Sequence, residues 1–298
     1  MTSAPRALIT GIHGFTGRYM AAELQRAGYQ VFGLGSRPGS DPDYRQADLG
    51  DAAALRRVLA ELQPDYVVHL AALAFVGHGE ANDFYRVNLI GTRNLLEAIA
   101  ACGHPPACVL LASSANVYGN ASAGRLDETT LPMPANDYAV SKWAMEQMAR
   151  LWSDRLPLVI ARPFNYTGVG QGEQFLLPKI VSHFRRRAPR IELGNLDVWR
   201  DFSDVRALVR AYRGLLETRP LGQTFNVGSG QAHSLREVLD LCSALSGHHL
   251  EVAVNPAFVR AGEVRTLCAD ASALHRLLPD WQTPPLRETL AWMLAEPV

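Results

Sequence analysis

Short apolar segments alternate with amphipathic helical segments through the first half of this chain, and this alternation is the feature that most constrains its fold. The apolar segments lie at 7–10, 29–35, 66–72, 107–114 and 156–165, and a helical pattern separates each from the next. Strands that are apolar throughout are typical of a parallel sheet that is covered on both faces. Because parallel strands are joined by right-handed crossovers, the sequence predicts a doubly wound α/β sheet.

The rhythm changes after Asn165, where a Gly-rich segment at 168–173 is followed by less regular helical and apolar patterns. We interpret this part as a smaller α+β domain that binds substrate, at the C-terminal end of the chain. The predicted boundaries assign 1–165 to the first domain, to which the chain returns at about 199–228. The second domain then comprises 166–198 and 229–298.

The charge balance argues against several classes of partner. Lys and Arg together number 29, as do Asp and Glu, so the 298-residue chain has no net charge. A neutral chain lacks the electrostatic footprint of a protein that binds nucleic acid or an anionic membrane surface. The sequence has no apolar run long enough to span a membrane and no signal-peptide pattern. We therefore expect a cytoplasmic protein.

The four cysteines argue against a metal centre. Cys102, Cys108, Cys242 and Cys268 are scattered, without CxxC spacing or a neighbouring histidine cluster. Zinc sites need closely spaced thiolates or imidazoles, and scattered thiols are typical of a reducing compartment. We predict no bound metal and no disulfide framework.

A glycine motif lies between the first predicted strand and the first predicted helix. Gly11, Gly14 and Gly17 stand in ITGIHGFTG, with Phe15 and Thr16 at the start of the helix. Glycine permits a tight turn and the close approach of a pyrophosphate, whose negative charge the helix N-terminus favours. The place of the motif on the first strand–helix turn predicts a Rossmann-type site for a dinucleotide cofactor.

The end of the second predicted strand bears on which dinucleotide binds. An acid there would bind the ribose 2′-hydroxyl of NAD, but the chain has Gly35, Ser36 and Arg37. A guanidinium and a hydroxyl can hold a 2′-phosphate through charge-assisted hydrogen bonds. We therefore favour NADP(H), while NAD(H) stays open. Further cofactor contacts are predicted for Asp48, Leu49, Leu70, Ala71, Ala72 and Pro163.

Three residues have the chemistry of a proton-transfer site. Tyr138 and Lys142 stand four residues apart on a predicted helix and therefore share one face. A nearby ammonium lowers the pKa of a phenol, which lets a tyrosine exchange a proton with a substrate oxygen near neutral pH. Ser114, at the end of the preceding strand, can donate a hydrogen bond to the same oxygen. We predict that these three residues are catalytic and that Tyr138 and Lys142 also contact the cofactor.

Six motifs together span essentially the whole chain: TGIHGFTG, HLAA, NLIGTRNLLEA, SSANVYG, YAVSK and RPFN. In this combination they resemble the extended short-chain dehydrogenase/reductase family. The resemblance places the family's catalytic trio on Ser114, Tyr138 and Lys142. By the same resemblance, Asn88 matches an asparagine of the family that supports the active-site backbone or a proton-relay water. We group Asn88 with the substrate-binding residues, and the alternative is a buried polar anchor.

Segments of the second predicted domain resemble the GDP-mannose branch of nucleotide-sugar enzymes in that family. They are RPFNYTGVGQ (162–171), RIELGNLDVWRDFSDVRALVRAY (190–212), FNVGSGQ (225–231) and RAGEVRTL (260–267). The resemblance implies that Asn165 contacts the substrate and that Lys179 approaches guanine. It further implies that Arg200 and Arg260 bind the diphosphate and that Glu263 binds a ribose hydroxyl. Arginines suit a diphosphate, although a salt bridge is the alternative for each.

Asn116 lies two residues after Ser114, where dehydratases of this branch carry the glutamate that removes the C5 proton of the sugar. An amide cannot act as a general base, so this residue argues against dehydration and leaves hydride transfer. The chain is then most similar to the reductases that act on GDP-4-keto-6-deoxymannose. This resemblance implies a GDP-linked 4-keto-6-deoxy sugar as substrate, in contact with Asn116, and GDP-rhamnose or GDP-6-deoxytalose as product.

Two other functions stay open. A C4 epimerase of nucleotide-linked hexoses uses the same trio but keeps its cofactor bound throughout. That cofactor is usually NAD, held through an acidic residue, and this chain has Arg37 there instead. A non-catalytic NADP(H)-sensing protein usually loses the tyrosine or the lysine, and both are present here. The family also forms homodimers through a four-helix bundle. Apolar positions in 88–101 and 141–152 could form one, or could pack only on their own sheet.

Overall fold

The computed structural model describes residues 4–74, 80–119, 124–258 and 265–296. The chain divides into two compact units, each with its own hydrophobic core. The first unit comprises 1–117, 136–162 and 209–225, and the second comprises 118–135, 163–208 and 226–298.

A seven-stranded sheet forms the centre of the first unit. Its strands are β1 (Arg6–Thr10), β2 (Gln30–Gly35), β3 (Tyr44–Gln46), β4 (Tyr66–His69), β5 (Cys108–Ala112), β7 (Leu158–Pro163) and β11 (Thr224–Val227). Their order across the sheet is β11-β7-β5-β4-β1-β2-β3, and the pairs from β3 to β7 are all parallel. The order reverses between β1 and β4, which is where doubly wound sheets bind their ligands. The predicted doubly wound sheet is confirmed.

Among the described residues, the helices that lie wholly in the first unit are α1 (Phe15–Arg26), α2 (Ala52–Leu62), α3 (Ala81–Phe84), α4 (Thr92–Ala101) and α5 (Asp137–Arg150). Apolar residues of α2, α4 and α5 share one buried cluster with residues of the sheet. The Asn136 side chain accepts a hydrogen bond from the N–H of Ala139 and so caps the N-terminus of α5. This cap fixes the start of the helix that carries Tyr138 and Lys142.

The helical pattern between the apolar segments at 66–72 and 107–114 does not form a single α-helix. A π-helical segment (Tyr85–Gly91) separates α3 from α4. Hydrophobic periodicity does not distinguish a π-helical turn from an α-helical one, so the sequence pattern could not reveal it. Such turns are frequent at functional sites, and this one contains Asn88.

The second unit contains β6 (Arg125–Leu126), β8 (Asn165–Thr167), β9 (Arg190–Leu193), β10 (Trp199–Asp204), β12 (Ala232–Ser234), β13 (Glu251–Val254) and β14 (Thr266–Ala269). Its helices are α6 (Leu176–Arg185), α8 (Leu235–Ser246), α9 (Ser272–Leu277) and α10 (Leu286–Ala295), while α7 (Val205–Thr218) contains a boundary between the units. Strand β10 pairs with β8, β12 and β14, and α6, α8 and α10 share one core. The predicted smaller α+β domain is confirmed.

The unit boundaries differ from the predicted ones by three residues at 162 and at 225, and by more in two places. The predicted first domain runs to 165 without interruption, whereas 118–135 belongs to the second unit, where β6 pairs with β14. The predicted return at about 199 begins too early, because β10 pairs with strands of the second unit and only 209–225 belongs to the first. These pairings join short strands far apart in the chain, so they leave no periodic signal in the sequence.

Candidate active site

The glycine motif forms a tight turn between β1 and α1. Gly11 has a φ of +73°, and a Cβ there would lie 2.9 Å from the backbone of Ala71. A Cβ on Gly17 would overlap the carbonyl oxygen of Gly11, so neither position accepts a side chain. Gly14 is the N-cap of α1, and Phe15 begins the helix. A loop with so little side-chain bulk at a helix N-terminus fits the pyrophosphate of a dinucleotide.

The segment after β2 exposes Ser36 and Arg37 to solvent. The Tyr44 hydroxyl donates a 2.5 Å hydrogen bond to the carbonyl oxygen of Arg37, and the Gln46 amide donates to that of Ser36 at 3.0 Å. The His13 ring of the glycine loop stacks on Tyr44, with 4.4 Å between ring centroids. The backbone is thus fixed, while the Arg37 guanidinium has no hydrogen bond or ion pair with any residue that the structure describes. An exposed guanidinium beside a hydroxyl suits a phosphate.

The remaining predicted cofactor residues follow other strands of the same sheet. Asp48 and Leu49 follow β3, Leu70, Ala71 and Ala72 follow β4, and Pro163 ends β7. All of them therefore lie at the carboxyl ends of parallel strands, as a doubly wound dinucleotide site requires. Asp48 accepts a hydrogen bond from the N–H of Gly50, and Leu49 is buried. Their contacts with a cofactor stay predictions.

Tyr138 and Lys142 lie one turn apart on α5, and both are buried. The Lys142 Nζ donates a 2.8 Å hydrogen bond to the carbonyl oxygen of Ala112, the last residue of β5. This bond holds the face of α5 that carries Tyr138 and Lys142 against the strand end from which Ser114 follows. Burial lowers the pKa of Lys142 to about 8, although the Glu146 carboxylate acts in the opposite direction.

Asn116 orients the hydroxyl of Ser114. The backbone N–H and the side-chain Nδ2 of Asn116 both donate to Ser114 Oγ, at 3.2 and 3.1 Å. The Ser114 oxygen accepts in both bonds, and none of the described residues accepts its hydroxyl proton. Ser114 can therefore donate that proton in a hydrogen bond to a substrate oxygen. Asn116 acts here as a donor, and its own contact with a substrate stays a prediction.

Asn88 is fully buried in the π-helical segment. Its Nδ2 donates to the carbonyl oxygen of Leu73 and to Ser141 Oγ, at 3.1 and 3.0 Å, and its Oδ1 accepts the N–H of Leu73 at 2.9 Å. Ser141 in turn donates to the carbonyl oxygen of Tyr138 at 2.8 Å. Asn88 therefore supports the backbone on both sides of the site. Its contact with a substrate stays a prediction.

His69 was not singled out from the sequence, yet it links β1 to this network. Thr10 Oγ1 lies 2.7 Å from its Nδ1, and Thr92 Oγ1 lies 2.8 Å from its Nε2. Because Thr92 donates to the carbonyl oxygen of Asn88, a neutral ring with its proton on Nε2 satisfies these bonds. Burial, with the charge of Lys142, lowers the pKa of His69 to about 3, so the ring adds no second cation beside the lysine.

A buried ion pair beside Lys142 was also missed. Arg162 Nη2 lies 2.6 Å from Glu146 Oε2, and neither side chain is more than 2% exposed. Glu146 also accepts a 2.5 Å hydrogen bond from the Ser113 hydroxyl. The position of Glu146, four residues after Lys142 on one helix, was the signal that could have identified it.

Asn165, which lies in the second unit, has an unsatisfied hydrogen-bond donor. It pairs with Phe202 of the neighbouring strand β10. Its Nδ2 is buried and has no hydrogen-bond partner among the described residues. Buried polar atoms are nearly always paired, so this donor fits an acceptor on a ligand.

The other predicted substrate residues lie elsewhere in the second unit. The Lys179 ammonium, on α6, donates to the carbonyl oxygen of Glu192 at 2.7 Å. The Arg200 guanidinium, on β10, donates to the carbonyl oxygen of Trp199 at 2.9 Å. Arg260 and Glu263 lie outside the described residues. Their roles and those of Lys179 and Arg200 stay predictions.

None of the helices that the structure describes has the length and apolar character of a membrane span. The described residues also include no group of His, Cys, Asp or Glu side chains that could hold a metal ion. Burial raises the pKa of Cys108 and of Cys242 to about 12, so both thiols are poor nucleophiles. The predicted cytoplasmic location stays a prediction.

A family model described as GDP-mannose 4,6 dehydratase matches residues 8–290. The chain belongs to this family. The expected membership of the extended short-chain dehydrogenases/reductases is confirmed, and the protein is an NAD(P)-dependent enzyme. The family takes its name from the dehydratases, so membership alone does not fix the reaction.

Two relatives cover nearly the whole chain. GDP-6-deoxy-D-talose 4-dehydrogenase from Aggregatibacter actinomycetemcomitans is 34% identical over 274 residues, which are 92% of this chain and 91% of the relative. GDP-6-deoxy-D-mannose reductase from Pseudomonas aeruginosa is 34% identical over 281 residues, which are 91% of this chain and 90% of the relative.

Two solved structures share the fold over 98% of both chains. An epimerase candidate from Burkholderia cenocepacia J2315 has a TM-score of 0.92 and 53% identity. RMD from Pseudomonas aeruginosa, complexed with NADPH, has a TM-score of 0.87 and 31% identity. These proteins place the chain among enzymes that reduce, oxidise or epimerise nucleotide-linked sugars.

Proposed function

We propose that the protein uses NADPH to reduce the C4 carbonyl of a GDP-4-keto-6-deoxyhexose, which gives a GDP-6-deoxyhexose. The observation that carries this proposal is the arrangement at Ser114, where Asn116 donates two hydrogen bonds from the position of the dehydratase base. Removal of the C5 proton needs a general base, and an amide is not one. Reduction of a carbonyl needs an oriented hydrogen-bond donor and a proton donor, and this site supplies both.

The residues of the site divide the proton chemistry among them. When bound, NADPH supplies the hydride that is added to C4. Tyr138 donates its phenolic proton to O4, and Ser114 donates a hydrogen bond that stabilises the charge developing there. Lys142, held by the carbonyl oxygen of Ala112, stabilises the Tyr138 phenolate and helps to return a proton to it. One hydride and one proton convert the carbonyl into an alcohol.

Arg37 supports the choice of NADPH over NADH. Its guanidinium is exposed at the end of β2, beside Ser36, where an acid would select the 2′-hydroxyl of NAD. Tyr44 fixes the Arg37 backbone, so part of the ordering cost of a phosphate site is already met. The glycine turn suits either dinucleotide and does not affect this choice.

The names of the relatives support the proposed nucleotide and sugar. Both curated relatives are named for GDP-linked 6-deoxy sugars, and their names concern the talose and the mannose configurations. GDP-6-deoxy-D-mannose is GDP-D-rhamnose, so the proposed product is GDP-D-rhamnose or GDP-6-deoxytalose. Asn165, Lys179, Arg200, Arg260 and Glu263 are the proposed ligands of the nucleotide-sugar.

The test is incubation of the purified protein with a panel of nucleotide-linked 4-keto-6-deoxy sugars and NADPH. We expect the GDP-linked sugar to consume NADPH in stoichiometric amount, and NMR of the product at C4 then assigns its configuration. Tyr138→Phe should lose most turnover while it still binds NADPH. A non-catalytic sensor would bind NADPH but consume none of it with any sugar in the panel.

Epimerisation at C4 is the second candidate, because the 53% identical Burkholderia protein is described as an epimerase candidate. An epimerase oxidises and then reduces the same carbon, so it has no net consumption of NADPH. Conversion of a nucleotide-linked hexose without added cofactor, together with unchanged NADPH absorbance on the 4-keto sugar, would refute the reductase proposal.

We also propose that the protein is a homodimer through the family's four-helix bundle. Ile90, next to α4, is 47% exposed, and Leu151, which follows α5, is 82% exposed. Apolar side chains left in water on neighbouring helices favour a partner surface. Light scattering should give the mass of a dimer, and a monomeric mass at micromolar concentration would contradict this proposal.

A further inference from the structure

The carboxylate of Glu146 joins three elements at the catalytic site. Glu146 lies on α5, one turn after Lys142, and is fully buried. It accepts a hydrogen bond from Ser113, which follows β5 and directly precedes Ser114. It also accepts hydrogen bonds from Arg162 of β7, from Nε at 2.9 Å and from Nη2 at 2.6 Å.

Two further charged side chains are buried near Lys142. Glu146 lies one helical turn after the lysine on α5, and its carboxylate is paired with the Arg162 guanidinium. His69, which faces Lys142 from β4, is neutral. Burial of an ion pair is costly, and apolar replacements of such pairs are often neutral or stabilising. Stability alone is therefore a weak explanation for the Glu146–Arg162 pair. Its position next to Lys142 indicates that it acts on this lysine.

We propose that Glu146 is a positioning residue that keeps Lys142 charged and in place, and that Arg162 limits the strength of this effect. The proposal rests on the proton-transfer role of Lys142 in the proposed function. Glu146 lies one helical turn after Lys142, and Ser113 and Arg162 anchor its carboxylate. The anchored negative charge favours the protonated lysine, and the carbonyl oxygen of Ala112 accepts a hydrogen bond from the lysine Nζ.

Opposite substitutions then have opposite effects on Lys142. In Glu146→Gln, the negative charge that pairs with Arg162 and favours protonated Lys142 is lost. Arginine does not lose its proton in proteins, so Lys142 loses its proton at lower pH. In Arg162→Gln, the Glu146 carboxylate faces Lys142 alone, so the lysine keeps its proton to higher pH. The double variant removes both charges, and its lysine should titrate between those of the single variants.

The chain offers a direct measurement, because Lys142 and Lys179 are its only lysines. Protein labelled with ¹³C at lysine Cε gives two side-chain signals, and Lys179→Arg assigns them. The pH titration of each signal is recorded for the whole chain without substrate. We expect the Lys142 midpoint to fall by about one pH unit in Glu146→Gln and to rise in Arg162→Gln.

Ser113→Ala is the matched control, because it removes a hydrogen bond to Glu146 without changing any charge. Its Lys142 midpoint should stay within a few tenths of a pH unit of wild type. Equal midpoints in all variants, or shifts of the two single variants in the same direction, would overturn the proposal. If Glu146→Gln does not fold, Arg162→Gln and the double variant decide. The proposal requires the Lys142 midpoint to be higher in Arg162→Gln than in the double variant.

The titration also separates this inference from the proposed function. If the wild-type protein fails to reduce the GDP-linked 4-keto sugar, the proposed function fails, and the NMR midpoints still report whether Glu146 acts on Lys142. If turnover is found, its alkaline limit should move in the same order as the midpoints, Glu146→Gln lowest and Arg162→Gln highest. A merely structural role would lower turnover without moving that limit in opposite directions.

Discussion

The buried ammonium of Lys142 carries a free-energy cost that the substitution Lys142→Met makes measurable. Burial lowers the pKa of this lysine from 10.5 to about 8. One pKa unit corresponds to about 1.4 kcal/mol, so keeping the group charged in the folded state at pH 7 costs about 3 kcal/mol of unfolding free energy. Methionine has a similar length and no charge. It removes the hydrogen bond to the carbonyl oxygen of Ala112, which costs about 1–2 kcal/mol.

Lys142→Met should therefore be more stable than wild type by about 1–2 kcal/mol at pH 7, while it loses turnover. The difference in stability between Lys142→Met and wild type depends on pH, because lysine exchanges a proton and methionine does not. Because the folded pKa lies below the unfolded one, the unfolded chain binds more protons between pH 8 and 10.5. The stability of the wild type then rises with pH relative to the variant. At pH 9.5 the advantage of the variant should be smaller by about 2 kcal/mol.

Urea unfolding of both proteins at pH 7 and pH 9.5, at one salt concentration, measures the effect. Other groups titrate alike in the two proteins and cancel in the difference. Lys142→Arg serves as the control. Arginine keeps its charge at both pH values, so the cost of burying that charge is the same at pH 9.5 as at pH 7. The reasoning would be refuted if Lys142→Met were less stable than wild type by the same amount at both pH values.

Three further predictions concern catalysis and cofactor choice. The turnover number should fall as pH rises through about 8, because Lys142 loses its proton there, and a pH profile with no change between pH 7 and 9 would contradict this. Arg37→Asp should weaken NADPH binding about 10–100-fold while NADH binding is kept or improved, as measured by nicotinamide fluorescence, and equal losses for both would contradict a 2′-phosphate contact. Asn116→Ala should lower kcat about tenfold with little change in KM, because Ser114 loses its orienting bond, and a change in KM alone would indicate a binding role instead.

The parts of the candidate site whose place in the fold was predictable from the sequence are those with a local signal. Their chemical roles stay predictions. The glycine turn follows a strand directly, and Tyr138 and Lys142 lie one helical turn apart. Each signal lies within a few residues, so the backbone geometry of one element fixes it. The alternating strands and helices of the sheet were predictable for the same reason, because each strand and each helix has its own hydrophobic period.

The parts that were missed depend on pairs of residues that are distant in the chain. Arg162 lies 16 residues from Glu146, and His69 contacts Thr10 and Thr92 at separations of 59 and 23 residues. Nothing in a single sequence states which buried polar groups will be partners. The requirement that each buried polar group be paired indicates only that partners exist, and the fold decides which they are.

Asn116 shows why hydrogen-bond direction at one atom informs the choice of reaction. Its Nδ2 and backbone N–H donate to Ser114 Oγ, so the proton of that hydroxyl is directed elsewhere. An ionised glutamate side chain only accepts hydrogen bonds, and at this position it would compete with the substrate for the proton of Ser114. In the proposed reaction, the amide thus takes the place of the base that dehydration needs, and Ser114 is left to donate to O4. Both consequences favour hydride transfer, whereas Arg37, on a separate loop, bears on whether the cofactor is NADPH.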